Sequence, residues 1–260
     1  MPEDMDFGRR EGSGRSVEGD NPVRRNLLLA LTPADEMERI RPHLDQVDLT
    51  FRQGIYASGE ANDYAYFPHA GVFSMVSSQE EDGMLVEVAT IGYEGMIGLP
   101  LLLGGGSTPG ECFCQVPGQA GRIADEAFGQ LIDTCPGFRR VLLRYTQALI
   151  TQISQSAACN RMHPVEERCA RWLLMSQDRV GASHFELTQE FMAQMLGVRR
   201  PTVSVAAGML QKAGLITYSR GLLVITDRQG LEAASCSCYR IILDEFRRLI
   251  RQEERSLRSR

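Results

Sequence analysis

Residues 187–225 read LTQEFMAQMLGVRRPTVSVAAGMLQKAGLITYSRGLLVI, a pattern that predicts a helix, a tight turn, a second helix and a two-stranded hairpin. Thr188 is placed to cap the first helix, and Phe191, Met192, Met195 and Leu196 recur behind it at helical spacing. Gly197 supplies the left-handed residue that ends that helix. The second starts near Arg199 and Arg200, with Pro201 in the first turn, where a missing N–H is tolerated. Val203, Ala206, Ala207 and Leu210 form its buried stripe, and Gly214 closes it. Leu215–Tyr218 and Leu222–Ile225 flank Ser219-Arg220-Gly221, a hairpin signal. The whole is a winged helix-turn-helix, a unit that commonly reads the major groove of DNA.

Two amphipathic helices joined at a glycine also occur in ordinary helical domains, and a fold does not dictate a function. Three features favour DNA. Two arginines stand at the start of the second helix, where side chains point at base edges. Thr202 and Ser204 follow, both short hydrogen-bond formers suited to phosphate or base contact. The hairpin tip carries Arg220, within reach of a neighbouring phosphate. With Thr188 and Gln189 at the start of the first helix, the candidate DNA-binding set is Thr188, Gln189, Arg199, Arg200, Pro201, Thr202, Ser204 and Arg220.

The charge distribution agrees. The 260-residue chain carries a net charge of −5, which argues against non-specific coating of nucleic acid. Residues 1–184 hold 16 Lys+Arg against 25 Asp+Glu, whereas residues 185–260 hold 12 against 8. A positive C-terminal part on an acidic body suits a DNA-reading module attached to something else. No apolar run reaches the length of a membrane span, and no hydrophobic stretch follows the N-terminal charges as in a secretory signal. The seven cysteines are irregularly spaced, with Cys112-Phe-Cys114 and Cys236-Ser-Cys238 too tight for a zinc knuckle. A reducing, cytoplasmic setting with mostly buried thiols is expected, with a redox or cluster role open for some of them.

Residues 1–25 are charged, Gly/Ser-rich and nearly free of aliphatics, which predicts a disordered tail. One or two short helices follow up to Leu44. From Val47 the period changes to two, and glycines punctuate short apolar runs at Tyr64–Phe67, Val72–Val76, Met84–Ile91 and Glu111–Val116. Short strands with a turn every dozen or so residues indicate a β-sandwich or barrel of jelly-roll type. His69, beside Pro68, is expected as a surface or turn residue. It is the only histidine in the strand region, too few for a metal-binding jelly roll, so no catalytic residues and no metal are expected. Neither a phosphate-gripping loop nor a nucleophile elbow is present.

Ala124–Thr134 predict a short helix and Pro136 to about Arg161 a long one. Along the latter, Leu142, Tyr145, Leu149, Gln152, Ser156 and Cys159 alternate steps of three and four, a coiled-coil seam. The seam could pack on the barrel; its narrowness and length favour a partner helix, most simply from a second copy. His163-Pro164 breaks that helix and acts as a hinge, and Val165–Asp178 form the next. After the winged unit, Gly230–Arg255 predict one more helix, with Leu231, Ile242, Phe246, Leu249 and Ile250 on one face. The expected divisions are a tail at 1–25, a sensor barrel at 26–135, a dimerisation helix at 136–163, the winged helix-turn-helix at 164–229, and a C-terminal helix and tail at 230–260.

This order, an α+β chain of barrel, long helix, hinge and winged helix, resembles the Crp/Fnr family of bacterial transcription regulators over about residues 26–228. The resemblance is strongest at Gly197-Val-Arg-Arg-Pro-Thr-Val-Ser, with support from Pro164-Val-Glu-Glu-Arg-Cys-Ala-Arg-Trp-Leu and Gly95-Met-Ile-Gly-Leu-Pro. It implies a cyclic-nucleotide-binding-like barrel that senses a signal, a homodimer on a pseudo-palindromic promoter site, and contact with RNA polymerase. It also implies an effector pocket around Ile97, Gly98, Leu99 and Pro109, with Ile153 from the long helix. The cyclic-nucleotide binders of the family carry Gly-Glu-Leu and, further on, an arginine for the phosphate. Here the matching positions are Gly98-Leu99-Pro100 and Pro109-Gly110, without carboxylate or guanidinium. A phosphate buried without such partners is costly, so cyclic AMP is not expected. No cysteine precedes Cys112, so the family's iron–sulphur cluster is not expected either, nor is haem. A thiol switch at Cys159 or Cys169 stays open as the signal. Pro201 stands where the family often has an acidic residue that reads cytosine, and Val205 where a base-reading arginine often sits. Arg200 keeps its place as the candidate for a bidentate guanine contact. The alternative function is a ligand-binding regulator that acts through a protein partner.

Overall fold

The computed structural model describes residues 26–78 and 85–258; the expected tail at 1–25 lies outside the described residues. Asn26 is fully buried, and its amide makes four bonds. Its Nδ2 donates to the carbonyls of Pro68 (2.9 Å) and Gly95 (2.8 Å). Its Oδ1 accepts from the N–H groups of Leu28 and Leu29, starting α1 (Leu27–Ala30). α2 (Ala34–Ile40) and a 3₁₀ turn at Arg41–His43 lead into the strands.

The strands are β1 (Asp45–Leu49), β2 (Gly54–Tyr56), β3 (Tyr64–Pro68), β4 (Val72–Ser78), β5 (Leu85–Ile91), β6 (Glu111–Val116) and β7 (Gly118–Ala124), with α3 (Leu99–Leu102) between β5 and β6. They form two antiparallel sheets, β1-β7-β3 and β2-β6-β4-β5. Leu49, Phe67, Phe73, Ile91, Ala120 and Ile123 from both sheets enter one apolar core. The β7 pattern is obscured by Gly118 and Gly121, yet Gly118 is required there: a Cβ would run into the Ala70 carbonyl. His69 lies in the bend after β3, as its neighbour Pro68 suggested, but it is buried and not at the surface, with Nε2 2.9 Å from Gln46 Oε1.

α4 (Asp125–Thr134) and α5 (Pro136–Met162) cover the barrel. Glu36 reaches from α2 to the free N–H groups of Gly137 (2.9 Å) and Phe138 (2.7 Å) at the start of α5. Phe138 then packs with Phe67 and Phe128, ring centroids 5.8 and 6.2 Å away. The expected dimer seam is corrected here. Leu142, Tyr145, Leu149, Gln152, Ser156 and Cys159 are all buried within their own chain. The Tyr145 ring lies on Gly95, where a Cβ would meet it at 2.7 Å, and its hydroxyl donates to Met96 O (3.0 Å). Gln152 donates to Thr90 O (3.0 Å). The face that α5 leaves outward is offset by one or two positions: Leu143, Gln147, Ile150, Ser154 and Ala157. Leu143 and Ile150 are 46% and 56% exposed, high for large aliphatics.

Both hinge residues are extended, His163 at φ −111° and Pro164 at φ −66°, and α6 (Val165–Val180) follows. β8 (His184–Glu186), α7 (Gln189–Leu196), α8 (Arg200–Lys212), β9 (Ile216–Ser219) and β10 (Leu222–Ile225) build the C-terminal head, with sheet order β8-β10-β9. The single helix expected from Gly230 is two, α9 (Arg228–Ala234) and α10 (Cys238–Arg258). Asp227 caps α9 by accepting from the Gly230 N–H, and extended Ser235 ends it. Leu231 is therefore buried on α9, apart from Ile242, Phe246 and Leu249 on α10. α10 runs back along α5, stacking Phe246 against Tyr145 with centroids 6.3 Å apart.

α6 locks head and barrel together. Trp172, 2% exposed, donates from Nε1 to Glu87 Oε1 of β5 (2.8 Å), an oxygen that also accepts from Thr90 Oγ1 (2.7 Å). Glu87 Oε2 is buried without a partner. Burial therefore lifts the Glu87 carboxyl above the ordinary carboxylate range. A raised folded value means stability that is present at acid pH and lost as pH rises through it. Glu87→Gln keeps the acceptor oxygen without the charge. Its melting temperature should match that of wild type near about pH 4.5 and exceed it near about pH 8, read by calorimetry across pH.

Candidate nucleic-acid interface

The two helices of the unit are set by their ends. Thr188 Oγ1 accepts from the Phe191 N–H (3.1 Å) and starts α7; Gly197, at φ 60°, stops it. Arg199 is the extended residue before α8, and Pro201 sits in the first turn. Val203, Ala206, Ala207 and Leu210 face inward as their spacing demands. Arg168 of α6 is buried and donates to the carbonyl of Leu196, so the C-terminal end of α7 is held from below.

What remains outside on α8 is one stripe. Arg199, Arg200, Pro201, Thr202, Val205, Gly208, Met209 and Lys212 are exposed, Val205 at 65% and Met209 at 53%. Arg199 and Arg200 stand at the positive end of the helix dipole, which favours an anion, although Pro201 has no N–H and the Thr202 N–H already donates to Arg199 O (3.0 Å). Met209 and Lys212 were not singled out from the sequence, though steps of three and four from Pro201 through Val205 reach both. Ser204 and Gln189 are half-buried, and Ser204 Oγ lies 2.6 Å from Gln189 Oε1. This pair ties the two helices together. Thr188 is exposed but engaged as a cap.

The wing tip is a two-residue turn. Arg220 (φ 50°) and Gly221 (φ 83°) are both left-handed, the geometry a tight hairpin requires. It projects Arg220 outward, while Tyr218 Oη donates to Leu187 O (2.9 Å) and anchors the wing to the start of the unit. β8, a third strand of only three residues, was invisible as a sequence pattern.

The back of α7 rests on the barrel. Phe191 packs against Phe51 and Phe113 at centroid distances of 5.6 and 6.1 Å, and Arg52 Nη2 donates to Gln194 Oε1 (3.0 Å). Beside this contact lies a cleft of about 430 Å³, lined by Arg52, Tyr56, Glu60, Glu111, Phe113 and Phe191 among others. None of the expected effector-pocket residues lines it. Ile97 is buried and paired with Tyr66, Gly98 and Leu99 start α3, Pro109 accepts from Ser58 Oγ (2.8 Å), and Ile153 is half-buried on α5.

One group was missed by reading spacings alone. Cys159 lies in the last turn of α5 and His163 just after it, Cys236 lies in the link between α9 and α10 and Cys238 starts α10, and their ligand atoms all lie within 4.8 Å of one another. Cys236-Ser-Cys238 is too short for a knuckle by itself; the chain supplies the other two ligands from a helix turn far away in sequence.

Residues 167–234 match the family model of the Crp-like helix-turn-helix domain. No curated protein matches. Similar solved structures include a transcriptional regulator of the Crp/Fnr family from Eubacterium rectale, 15% identical, covering 80% of this chain and 96% of that one at a TM-score of 0.63. FixK2 from Bradyrhizobium japonicum is 18% identical over 74% of this chain and 98% of its own, at 0.64. The regulator CLP of Xanthomonas campestris, described as responsive to c-di-GMP, is 16% identical over 74% and 99%, at 0.62. Since Thr188 works as a cap, Thr188→Ala should cost about 1 kcal/mol in urea unfolding, with Thr188→Ser restoring most of it.

Proposed function

We propose that this chain, which matches the Crp-like helix-turn-helix domain over residues 167–234 and shares the fold of Crp/Fnr regulators, is a DNA-binding transcription regulator that works as a homodimer on a pseudo-palindromic promoter site. The observation that carries the reading is the exposed stripe of α8 with Arg220 standing beside it on the wing. Arg200 reads guanine by two hydrogen bonds from its guanidinium, and Arg199 and Arg220 neutralise phosphates. Thr202 adds a short polar contact. Val205 and Met209 offer apolar contact to thymine methyl groups, where an arginine would read guanine. Gln189 and Ser204 act one step back, by fixing how α8 sits on α7.

The dimer forms through the outward face of α5, with Leu143, Ile150 and Ala157 a heptad apart and Gln147 and Ser154 between them. This face replaces the buried seam as the proposed contact. A signal at the barrel is passed to the head through α5 and through the contact of Phe191 with Phe51 and Phe113. RNA polymerase is the proposed protein partner once DNA is bound.

Selection of bound duplexes from a random pool tests the function. Enrichment of an inverted repeat is expected, and no preference over random duplex at moderate salt would reject the reading. Arg200→Ala should weaken the selected site by about 1–3 kcal/mol and relax one position of each half-site. Arg220→Ala should weaken all sequences alike and lower the salt slope by about 1. Ile150→Glu, whose side chain is already exposed in the single chain, should leave the fold intact and shift sedimentation from dimer to monomer.

A further inference from the structure

Cys159, Cys236 and Cys238 form a small buried cluster of their own, whereas Cys112, Cys114, Cys135 and Cys169 belong to the main apolar core. His163 completes the group. It stands four residues after Cys159, as the extended residue that caps α5, and its N–H bonds the Cys159 carbonyl. Cys159 Sγ and Cys236 Sγ are 3.4 Å apart, and Cys238 Sγ is 3.6 Å from His163 Nδ1. Bonds of about 2.3 Å to sulfur and about 2.0 Å to nitrogen at tetrahedral angles place ligand atoms roughly 3.5–3.8 Å apart. The spacing therefore suits one ion at the centre of the four. It is far longer than the roughly 2.05 Å of a disulfide, a bond that would also leave Cys238 and His163 unused.

The surroundings suit a site of negative charge. Arg168 and Arg171, on the first two turns of α6, are 7% and 5% exposed, and neither forms an ion pair among the described residues. Both lie within electrostatic reach of the sulfurs; Arg171 also faces Glu87. Buried guanidinium groups need counter-charge. Three thiolates, a neutral imidazole and a divalent ion sum to a single negative charge. The Cys238 N–H, at the start of the 21-residue α10, points at Cys236 Sγ and adds a donor to a thiolate.

We propose that Cys159, His163, Cys236 and Cys238 bind one Zn²⁺ per chain in a closed tetrahedral site. Three sulfurs and one nitrogen in this geometry select zinc, and with no open position the site is structural. It fastens the end of α5 to the start of α10, one residue before the Pro164 hinge. Arg168 stands between the site and the Leu196 carbonyl that it holds, so occupancy is felt at the base of the helix-turn-helix. Zinc entry releases the thiol protons and stabilises the fold that presents the ligands.

The test uses the full-length chain, purified anaerobically with reductant, stripped by chelator and reloaded with Zn²⁺ or Co²⁺. One equivalent of zinc should survive gel filtration and raise the melting temperature. Cobalt should give sulfur-to-metal charge transfer and the intense visible bands of a tetrahedral ion. Cys236→Ser and Cys238→Ser should lose stoichiometric binding while circular dichroism shows them folded, and Cys112→Ser should keep it. His163→Cys, a conservative ligand exchange, should retain cobalt with a changed spectrum, which answers the case in which the serine variants do not fold. A reduced chain that takes up no zinc, a six-coordinate cobalt spectrum, preference for iron, or cobalt bands unchanged in Cys238→Ser would each overturn the proposal. So would a Cys159–Cys236 disulfide whose reduction does not open a zinc site. None of these readouts depends on DNA binding.

Discussion

Arg179 is where barrel, long helix and head meet. Its Nε is 2.8 Å from Glu94 Oε1 of the barrel, its Nη1 donates to Met175 O within α6, and its Nη2 reaches Gln152 Oε1 of α5 (3.3 Å). Gln152 in turn donates to Thr90 O at the end of β5. Both members of the ion pair are close to fully buried. Losing one partner from such a pair leaves a charge stranded in a medium that solvates it poorly, at a cost of about 3–5 kcal/mol. Arg179 thus couples all three units at one point, and Gly92 is the small residue that lets its stem lie against the barrel.

The same constraint decides how α5 is used. A long helix beside a barrel has two customers, the barrel and anything outside. The barrel takes the side bearing Leu142, Tyr145, Leu149 and Gln152, where Tyr145 reaches Met96 and Gly95 and Gln152 reaches Thr90. α10 takes a neighbouring strip through Phe246. The remaining face carries Leu143 and Ile150, apolar side chains that a solitary helix would have no reason to present. A spacing of three and four exists on both faces, so periodicity alone does not distinguish the inner seam from the outer one. The tie is broken by Gln152, whose amide is satisfied on the inner side, by the Thr90 carbonyl and the Arg179 guanidinium.

The output end was legible for a different reason. Caps, glycine stops and turn residues act over four or five neighbours, so Thr188, Gly197, Pro201, Gly214 and Arg220-Gly221 do in the structure what their positions predicted. The inward stripe of α8 likewise follows from spacing. The outward stripe was only half read, because Ser204 has the right chemistry for DNA but its hydroxyl is engaged by Gln189. β2, β7 and β8 went unread, being short or glycine-broken and paired with partners distant in the chain.

By itself the sequence determined the order of the parts: strands, long helix, hinge and winged helix-turn-helix, each announced by local period and local turn chemistry. The tertiary structure alone decided which face of α5 turns outward, which polar residues of the head are free, and which cysteines meet. Each of these depends on what arrives from another element, as when Gln189 meets Ser204, 15 positions on, or Cys236 arrives at Cys159, 77 positions earlier. Local signals set the conformation of a segment, but a side chain's surroundings are set by packing, and chemistry belongs to the surroundings.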